Sequence, residues 1–340
     1  MDLNQSGIFE MEIFITKNFT TIKKNKYWAI AVLFLGLFAC QHNEKGNTDK
    51  ENSPQENLQF PKEMVAFSPY QKNPLFSGTE RDTWDKKIRE RGFILQEDGN
   101  YKMWYSGYKG NNQDPKYLGY ATSTDGINWE RYAEQPIFEE KWCEDMMVTK
   151  HQGKYYMFAE GANDIAHVLV SVDGISWEEL GDLEISQTNG EPIAPGPFGT
   201  PTVWIENEQW YLFYERDDEA IWLATSAGDP RIWKNLQDEP VLKKGPGDYD
   251  KGAVATNQIV KFQDKYFMYY HASSYPDWQS TNAKWSSNVA MSTDLIHWVK
   301  YPHNPIIEGD YSSPILVPDQ KGNFHLYTMH DQVRLYLPTE

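Results

Sequence analysis

The chain has few of the features that would commit it to several common protein classes. It has only two cysteines, Cys40 and Cys143, in 340 residues, too few to staple the fold with disulfides. Its one long apolar run, residues 28–39, is too short to span a bilayer comfortably. Basic runs are missing from the part expected to fold, and Asp plus Glu (49) outnumber Lys plus Arg (32), for a formal charge of −17. This balance argues against nucleic acid as a partner, and a polyanionic substrate would need local positive charge. Aromatic residues, at 15%, are plentiful.

The N-terminal run reads as an export signal. Lys23-Lys24-Asn25-Lys26 precedes it, and it ends Leu37-Phe38-Ala39-Cys40, which resembles a bacterial lipobox. Residues 1–39 are expected to be a lipoprotein signal peptide and Cys40 the lipidated residue. The polar stretch 40–58 is expected to be a flexible tether. The chain would then sit in the bacterial cell envelope, touching membrane only through lipid on Cys40. With Cys40 so used, Cys143 has no disulfide partner and is expected to be a small buried residue rather than a nucleophile.

Residues 59–340 repeat. A short aromatic strand recurs at Tyr101, Tyr155, Trp210, Tyr266 and Phe324, with starts 54, 55, 56 and 58 residues apart. A period of this length, with several short strands per unit, predicts an all-β fold, a five-bladed β-propeller with four antiparallel strands per blade. The phrase Ser-x-Asp-Gly-x-x-Trp, at 123–129 and 171–177, supplies a tight hairpin and a Trp to pack between blades. It returns with an insertion at 226–233 and with Leu295 in place of Gly at 292–298. The fifth unit stops one strand short, so a strand near residues 64–69 should complete it and close the ring, leaving no exposed sheet edge.

A propeller gathers the starts of its inner strands and the ends of its second strands at one mouth. Counting back from the aromatic strands places Arg91, Asp145, Thr200, Thr256 and Ser313 in register. The second strands end at Ser106, Glu160, Glu215, His271 and Met329, with His330 next. Trp84-Asp85-Lys86 and Tyr249-Asp250-Lys251 lie just upstream of two inner strands. The mouth is therefore expected to collect Asp85, Arg89, Arg91, Glu144, Asp145, Glu160, Glu215, Asp250, His271 and His330. Crowded carboxyls separate one another's pKa values, which suits paired acid and base catalysis. His271 and His330 with these carboxylates could also accept an axial divalent cation, although no spaced His/Cys motif requires a metal, and no cofactor is called for.

The repeat, with Gly153-Lys154-Tyr155-Tyr156-Met157 and the Ser-x-Asp-Gly-x-x-Trp turns, resembles the five-bladed propeller glycosidases, which include glycoside hydrolase families 32, 43, 117 and 130. The resemblance implies a carbohydrate enzyme with acidic residues at the mouth. Asp85 can match the Asp that opens the first blade in family 43. Where that family carries Glu-Gly-Pro, this chain reads Gly196-Pro197-Phe198 without a carboxylate, and the Asn-Asp-Pro of family 32 is absent, so a divergent member is expected. On this reading the protein hydrolyses a plant or algal oligo- or polysaccharide as a monomer. Asp85 is the general base, Glu215 the general acid, and Asp145 orients substrate or tunes a pKa. Trp84, Arg89, Arg91, Glu144, Glu160, Asp250, His271 and His330 bind substrate. Two alternatives stay open. A phosphorylase would draw on Arg89, Arg91, Arg216, Lys86 and Lys251, and a surface glycan-binding protein would have no chemistry.

Overall fold

Each aromatic strand forms the second strand of an antiparallel sheet, and five such sheets make up the computed structural model. The structure describes residues 59–339 except Pro195, Pro197 and residues 280–282. The signal, lipidation and tether readings for residues 1–58 lie outside the described residues.

The first blade is built from Lys87–Glu97, Asn100–Tyr108, Tyr117–Ser123 and Glu130–Arg131. The second comprises Glu144–His151, Lys154–Glu160, Ala166–Ser171 and Glu178–Asp182. The third uses Thr202–Glu206, Gln209–Arg216, Ala220–Ser226 and Ile232–Asn235, with two short added strands at its periphery. The fourth runs Ala253–Phe262, Lys265–Ser273, Trp285–Ser292 and Val299–Lys300. First strands of neighbouring blades touch one another in a closed circuit, so they line the axis.

The fifth blade has three strands of its own, Pro314–Pro318, Phe324–Met329 and Gln332–Pro338. Its fourth is Phe67–Pro69, which pairs antiparallel with the last strand from Phe67 opposite Pro338 to Pro69 opposite Tyr336. The ring closes through the N-terminal strand, as the incomplete fifth repeat predicts. A helical turn, Lys62–Val65, precedes it, and Tyr269 OH of the fourth blade donates to Met64 O at 2.8 Å.

Blade spacing is set by one position, the fourth residue of each aromatic strand. It is Trp104, Phe158, Phe213, Tyr269 or Tyr327, and all five are fully buried. Each side chain reaches the next blade. Trp104 donates to Gly174 O at 2.7 Å, and Tyr327 donates to Gly126 O at 3.0 Å across the closure. Phe158 meets Trp233 edge-on at 6.0 Å, and Phe213 meets Trp298 at 5.9 Å. The receiving turns are rigid. In the first, Asp125 Oδ1 accepts from Ile127 N and Asn128 N, both at 2.8 Å, and Gly126 takes the left-handed φ of +73° that a side chain resists.

Because Phe213 is wholly enclosed between two blades, Phe213→Ala should cost about 3–5 kcal/mol. Chemical denaturation should report this as a lower midpoint. An unchanged midpoint would mean that blade docking does not depend on this contact.

Candidate active site

The five register residues Arg91, Asp145, Thr200, Thr256 and Ser313 are all buried, as equivalent positions around one axis should be. Ladder pairing slips at this level in the first, second and fourth blades. Arg91, Asp145, Thr200 and Ser313 take left-handed φ values of 44° to 58°. Each inner strand thus kinks where it reaches the mouth, a common use of bulges beside functional sites.

At this mouth lies a cavity of about 280 Å³. The second blade gives it Asp145, Glu160 and Asp164, and the third gives Thr200, Glu215, Asp217 and Asp218. On the other side stand His271, Trp278, Gln279 and Trp285, with Arg89 from the first blade. The aromatic wall is continuous. His271 meets Trp285 edge-on at 5.1 Å, and Trp278 meets Trp285 at 5.9 Å. Ring faces of this kind suit the apolar faces of sugars.

Glu160 and Glu215 end equivalent strands in adjacent blades, and the segment at Gly199 runs between them. A Cβ at Gly199 would strike Glu160 Oε2 and come within 2.8 Å of Glu215 Oε1, so only glycine lets the two carboxyls stand this close. Thr200 N donates to Glu160 Oε2 at 3.1 Å. Gly199 N and Asp218 N donate to the two oxygens of Glu215, each at 2.6 Å.

Burial and neighbouring charge work on both groups. Burial, then the carboxylates of Asp145 and Glu144, push Glu160 well above the ordinary carboxyl range. Burial raises Glu215 to about 7, while its two backbone N–H bonds hold it lower than burial alone would. Carboxyls that share a site cannot all ionise cheaply.

The other sequence-predicted residues divide. Arg89 lines the cavity but is ion-paired to Glu144, which also accepts from Trp142 Nε1 at 2.6 Å. Arg91 does not line it. Its guanidinium is fully buried and donates to Asp145 O, to Pro201 O at 2.8 Å and to Thr202 Oγ1 at 2.6 Å. It ties the first blade to the second and third. Burial lowers its pKa to about 10, against the pull of Asp145, Glu160 and Glu215, so it stays cationic at neutral pH. His330, joined to Ser312 Oγ at 3.0 Å, is not among the lining residues. Cys143 is buried and its thiol is pushed up by burial, in keeping with an inert role.

Asp85, Asp250 and Trp84 also lie outside the cavity lining, and a second repeated feature explains why. Asp85 accepts from Arg131 Nε at 2.7 Å and from Thr83 Oγ1 at 2.8 Å. Asp250 is ion-paired to Lys300. Arg131 and Lys300 occupy the same place in their blades, on the fourth strand opposite Ala121 and Ala290. In the second blade the equivalent position is Glu179, opposite Leu169, and the cation comes from the incoming segment as Lys141 at 2.5 Å. These pairs clasp the fourth strand to the chain entering the same blade. Trp84 belongs to the clasp, with its ring stacked on Tyr105 at 5.8 Å and Nε1 donating to Glu134 O at 2.9 Å.

Sequence reasoning missed Asp164, Asp217, Asp218, Trp278, Gln279 and Trp285. The acidic three follow Glu160 and Glu215 within four residues, so extending the register into the hairpins finds them. The two tryptophans sit on or beside the loop between the second and third strands of the fourth blade, whose length breaks the repeat. Among the described residues, no cluster of three or more His, Cys, Asp or Glu is arranged to hold a metal ion.

No family model matches the chain. Over 231 residues it is 27% identical to a 1,2-β-oligomannan phosphorylase of Thermoanaerobacter sp., covering 62% of this chain and 73% of that protein. The chain spans about half the length of the first curated relatives it matches. One is an uncharacterized Mycobacterium tuberculosis protein, 25% identical over 162 residues and 54% covered, with 45% of this chain aligned. Among solved structures, a glycosyl hydrolase from Bacteroides ovatus superposes with a TM-score of 0.63 at 16% identity, over 83% of this chain and 96% of that one. The β-1,2-mannobiose phosphorylase of Listeria innocua, solved with β-1,2-mannobiose, gives 0.61 at 15% identity, over 79% and 95%. The chain has the five-bladed propeller fold of these glycosidases and phosphorylases.

The clasp yields a prediction. Asp85→Asn removes a charge-assisted bond to a half-exposed arginine and should cost about 2 kcal/mol of stability, while ligand binding at the mouth stays within a few-fold of the parent. Thermal unfolding and ligand titration on the same preparation check both parts.

Proposed function

We propose that the protein is a glycoside hydrolase whose working groups are Glu160, Glu215 and Asp145. The observation that carries this reading is the charge of the cavity. Among the described residues, six carboxyl residues line it, against one arginine already paired to Glu144. A phosphorylase must hold phosphate beside the sugar. Of the cations available for that task, Arg91 is buried among carbonyl and hydroxyl partners, and Arg216 lies over Trp222 at 5.3 Å. Lys86 and Lys251 do not line the cavity. The names of the Thermoanaerobacter and Listeria relatives favour phosphorolysis, and the pairing of the one arginine among the described lining residues with Glu144 weighs against it.

In this reading Glu160 is the general acid. Its proton is held by burial and by the charge of Asp145, and it passes to the glycosidic oxygen as the bond to the anomeric carbon breaks. Glu215, supported as a carboxylate by two backbone N–H groups, stands too close to Glu160 to leave room for a water on the far face of the sugar, so it attacks the anomeric carbon as that bond breaks. Glu160, now a carboxylate, then takes a proton from the water that displaces Glu215. Asp145 keeps its role as the tuning charge. Asp85 gives up the role of base, because its carboxylate is engaged by Arg131 and Thr83 away from the cavity. The wall of His271, Trp278 and Trp285 would hold the sugar.

Purified protein should release sugar without phosphate from a panel of β-1,2-oligomannosides and plant and algal oligosaccharides. Glu160→Gln should lower kcat/KM by about 10³-fold while substrate still binds. Phosphate-dependent release would establish a phosphorylase instead, and tight binding with no release by the parent protein would favour a glycan-binding role.

Two pH effects follow. The kcat/KM profile should rise through about pH 7 as Glu215 ionises and fall on the alkaline side as Glu160 loses its proton. Asp145→Asn should move that alkaline limb to lower pH. Stability follows the same titration. Folding raises the Glu215 pKa from 4.5 to about 7, so its contribution is fully present below about 4.5 and is lost as pH rises through 7. Denaturation of Glu215→Gln across pH 4–8 should show a shallower decline than the parent, and parallel curves would rule out this linkage.

A further inference from the structure

We infer that Asp164 and Asp217 make the cavity a charge filter that admits neutral and cationic sugars and turns away anionic ones. The ligand class rests on the hydrolase reading, but the filter itself rests on the geometry. Both residues line the cavity and both are exposed. They sit on equivalent hairpins, each joining the second and third strands of its blade, in the second and third blades respectively. Neither side chain has a hydrogen-bond or ion-pair partner among the described residues, so no described ion pair offsets them. Arg89, the one lysine or arginine among the described lining residues, is ion-paired to Glu144.

Independent features mark the cavity as a place for a polar ligand. Thr200 is 5% exposed and lines the cavity, yet its Oγ1 has no hydrogen-bond partner. A buried hydroxyl left alone costs free energy that a ligand hydroxyl would recover. Trp278 and Trp285 line the same cavity. The volume, about 280 Å³, falls at the lower end of ligand pockets (roughly 300–1,000 Å³) and suits a small sugar unit. Asp164 and Asp217 can accept from its hydroxyls. A carboxylate, sulfate or phosphate on the ligand would meet like charge in a partly desolvated site.

The backbone beneath these carboxylates is left-handed in both hairpins. Asn163 and Asp164 take φ values of 63° and 54°, and Asp217 and Asp218 take 50° and 52°. Asp218 N is anchored on Glu215. Asn tolerates the left-handed region as Asp does, so Asp→Asn changes the charge without forcing a new backbone.

The test is titration calorimetry with four probes: 1-deoxymannojirimycin as the cation, mannose as the neutral sugar, mannuronate and inorganic phosphate as the anions. The parent should bind the iminosugar most tightly, mannose next, and the two anions at least roughly tenfold more weakly than mannose. Asp164→Asn and Asp217→Asn, singly and together, should each weaken the iminosugar more than mannose and narrow the gap between mannose and the anions. Circular dichroism confirms the fold of each variant. Anions binding as well as mannose, no binding of the iminosugar, or variants that leave the order untouched would overturn the filter. Turnover is read separately. Ligands sorted by charge without glycoside cleavage would keep the filter and remove the hydrolase reading, and cleavage without sorting would do the reverse.

Discussion

The contact of one aromatic side chain with the turn of the next blade governs the rest of the molecule. Trp104, Phe158, Phe213, Tyr269 and Tyr327 sit at the same place in five strands, and all are fully buried. Four reach a Ser-x-Asp-Gly-type turn or its Trp in the following blade, and Tyr269 reaches the N-terminal segment that completes the fifth. Large rigid rings bury much apolar area at low entropic cost, so this contact fixes both the distance and the angle between blades. The ends of the second strands then have no freedom of their own. Glu160 and Glu215 stand on either side of Gly199 because Phe158 and Phe213 are seated where they are.

The axis carries the opposite burden. Its five register residues are all polar, and burying polar groups is unfavourable unless they are bonded. Arg91 meets part of that demand by giving its guanidinium to carbonyls and a hydroxyl of two neighbouring blades. Its positive charge also lies under the field of Asp145, Glu160 and Glu215. Replacing it with an apolar residue would free carbonyls and remove a buried positive charge that acts on three carboxyls. This is why Arg91 reads better as part of the floor that permits an acidic mouth than as a ligand for substrate.

The fold was legible because propeller packing is periodic and the period is written in aromatic residues. Blade number, the closing strand and the register of the mouth all follow from the spacing of Tyr101, Tyr155, Trp210, Tyr266 and Phe324. Asp145, Glu160 and Glu215 were found for the same reason, since each occupies a repeat position. Asp85 and Asp250 also repeat, but the repetition belongs to a clasp. Their partners Arg131 and Lys300 lie 46 and 50 residues downstream on fourth strands, too far for local pattern to reveal. The aromatic wall was illegible for a different reason: Trp278 lies in a loop that breaks the period, and such loops carry no register.

The clasp separates two uses of charge that a sequence writes in the same letters. In the first and fourth blades the acid is on the incoming segment and the base on the fourth strand, and in the second blade the signs are exchanged. A pair that tolerates exchange is valued for attraction alone. The mouth does not behave this way. There the carboxyls of two adjacent blades face one another across Gly199, and burial with the neighbouring carboxylates of Asp145 and Glu144 favours the protonated form of Glu160. A carboxyl whose proton is favoured in this way is what the proposed hydrolase reading requires of its general acid.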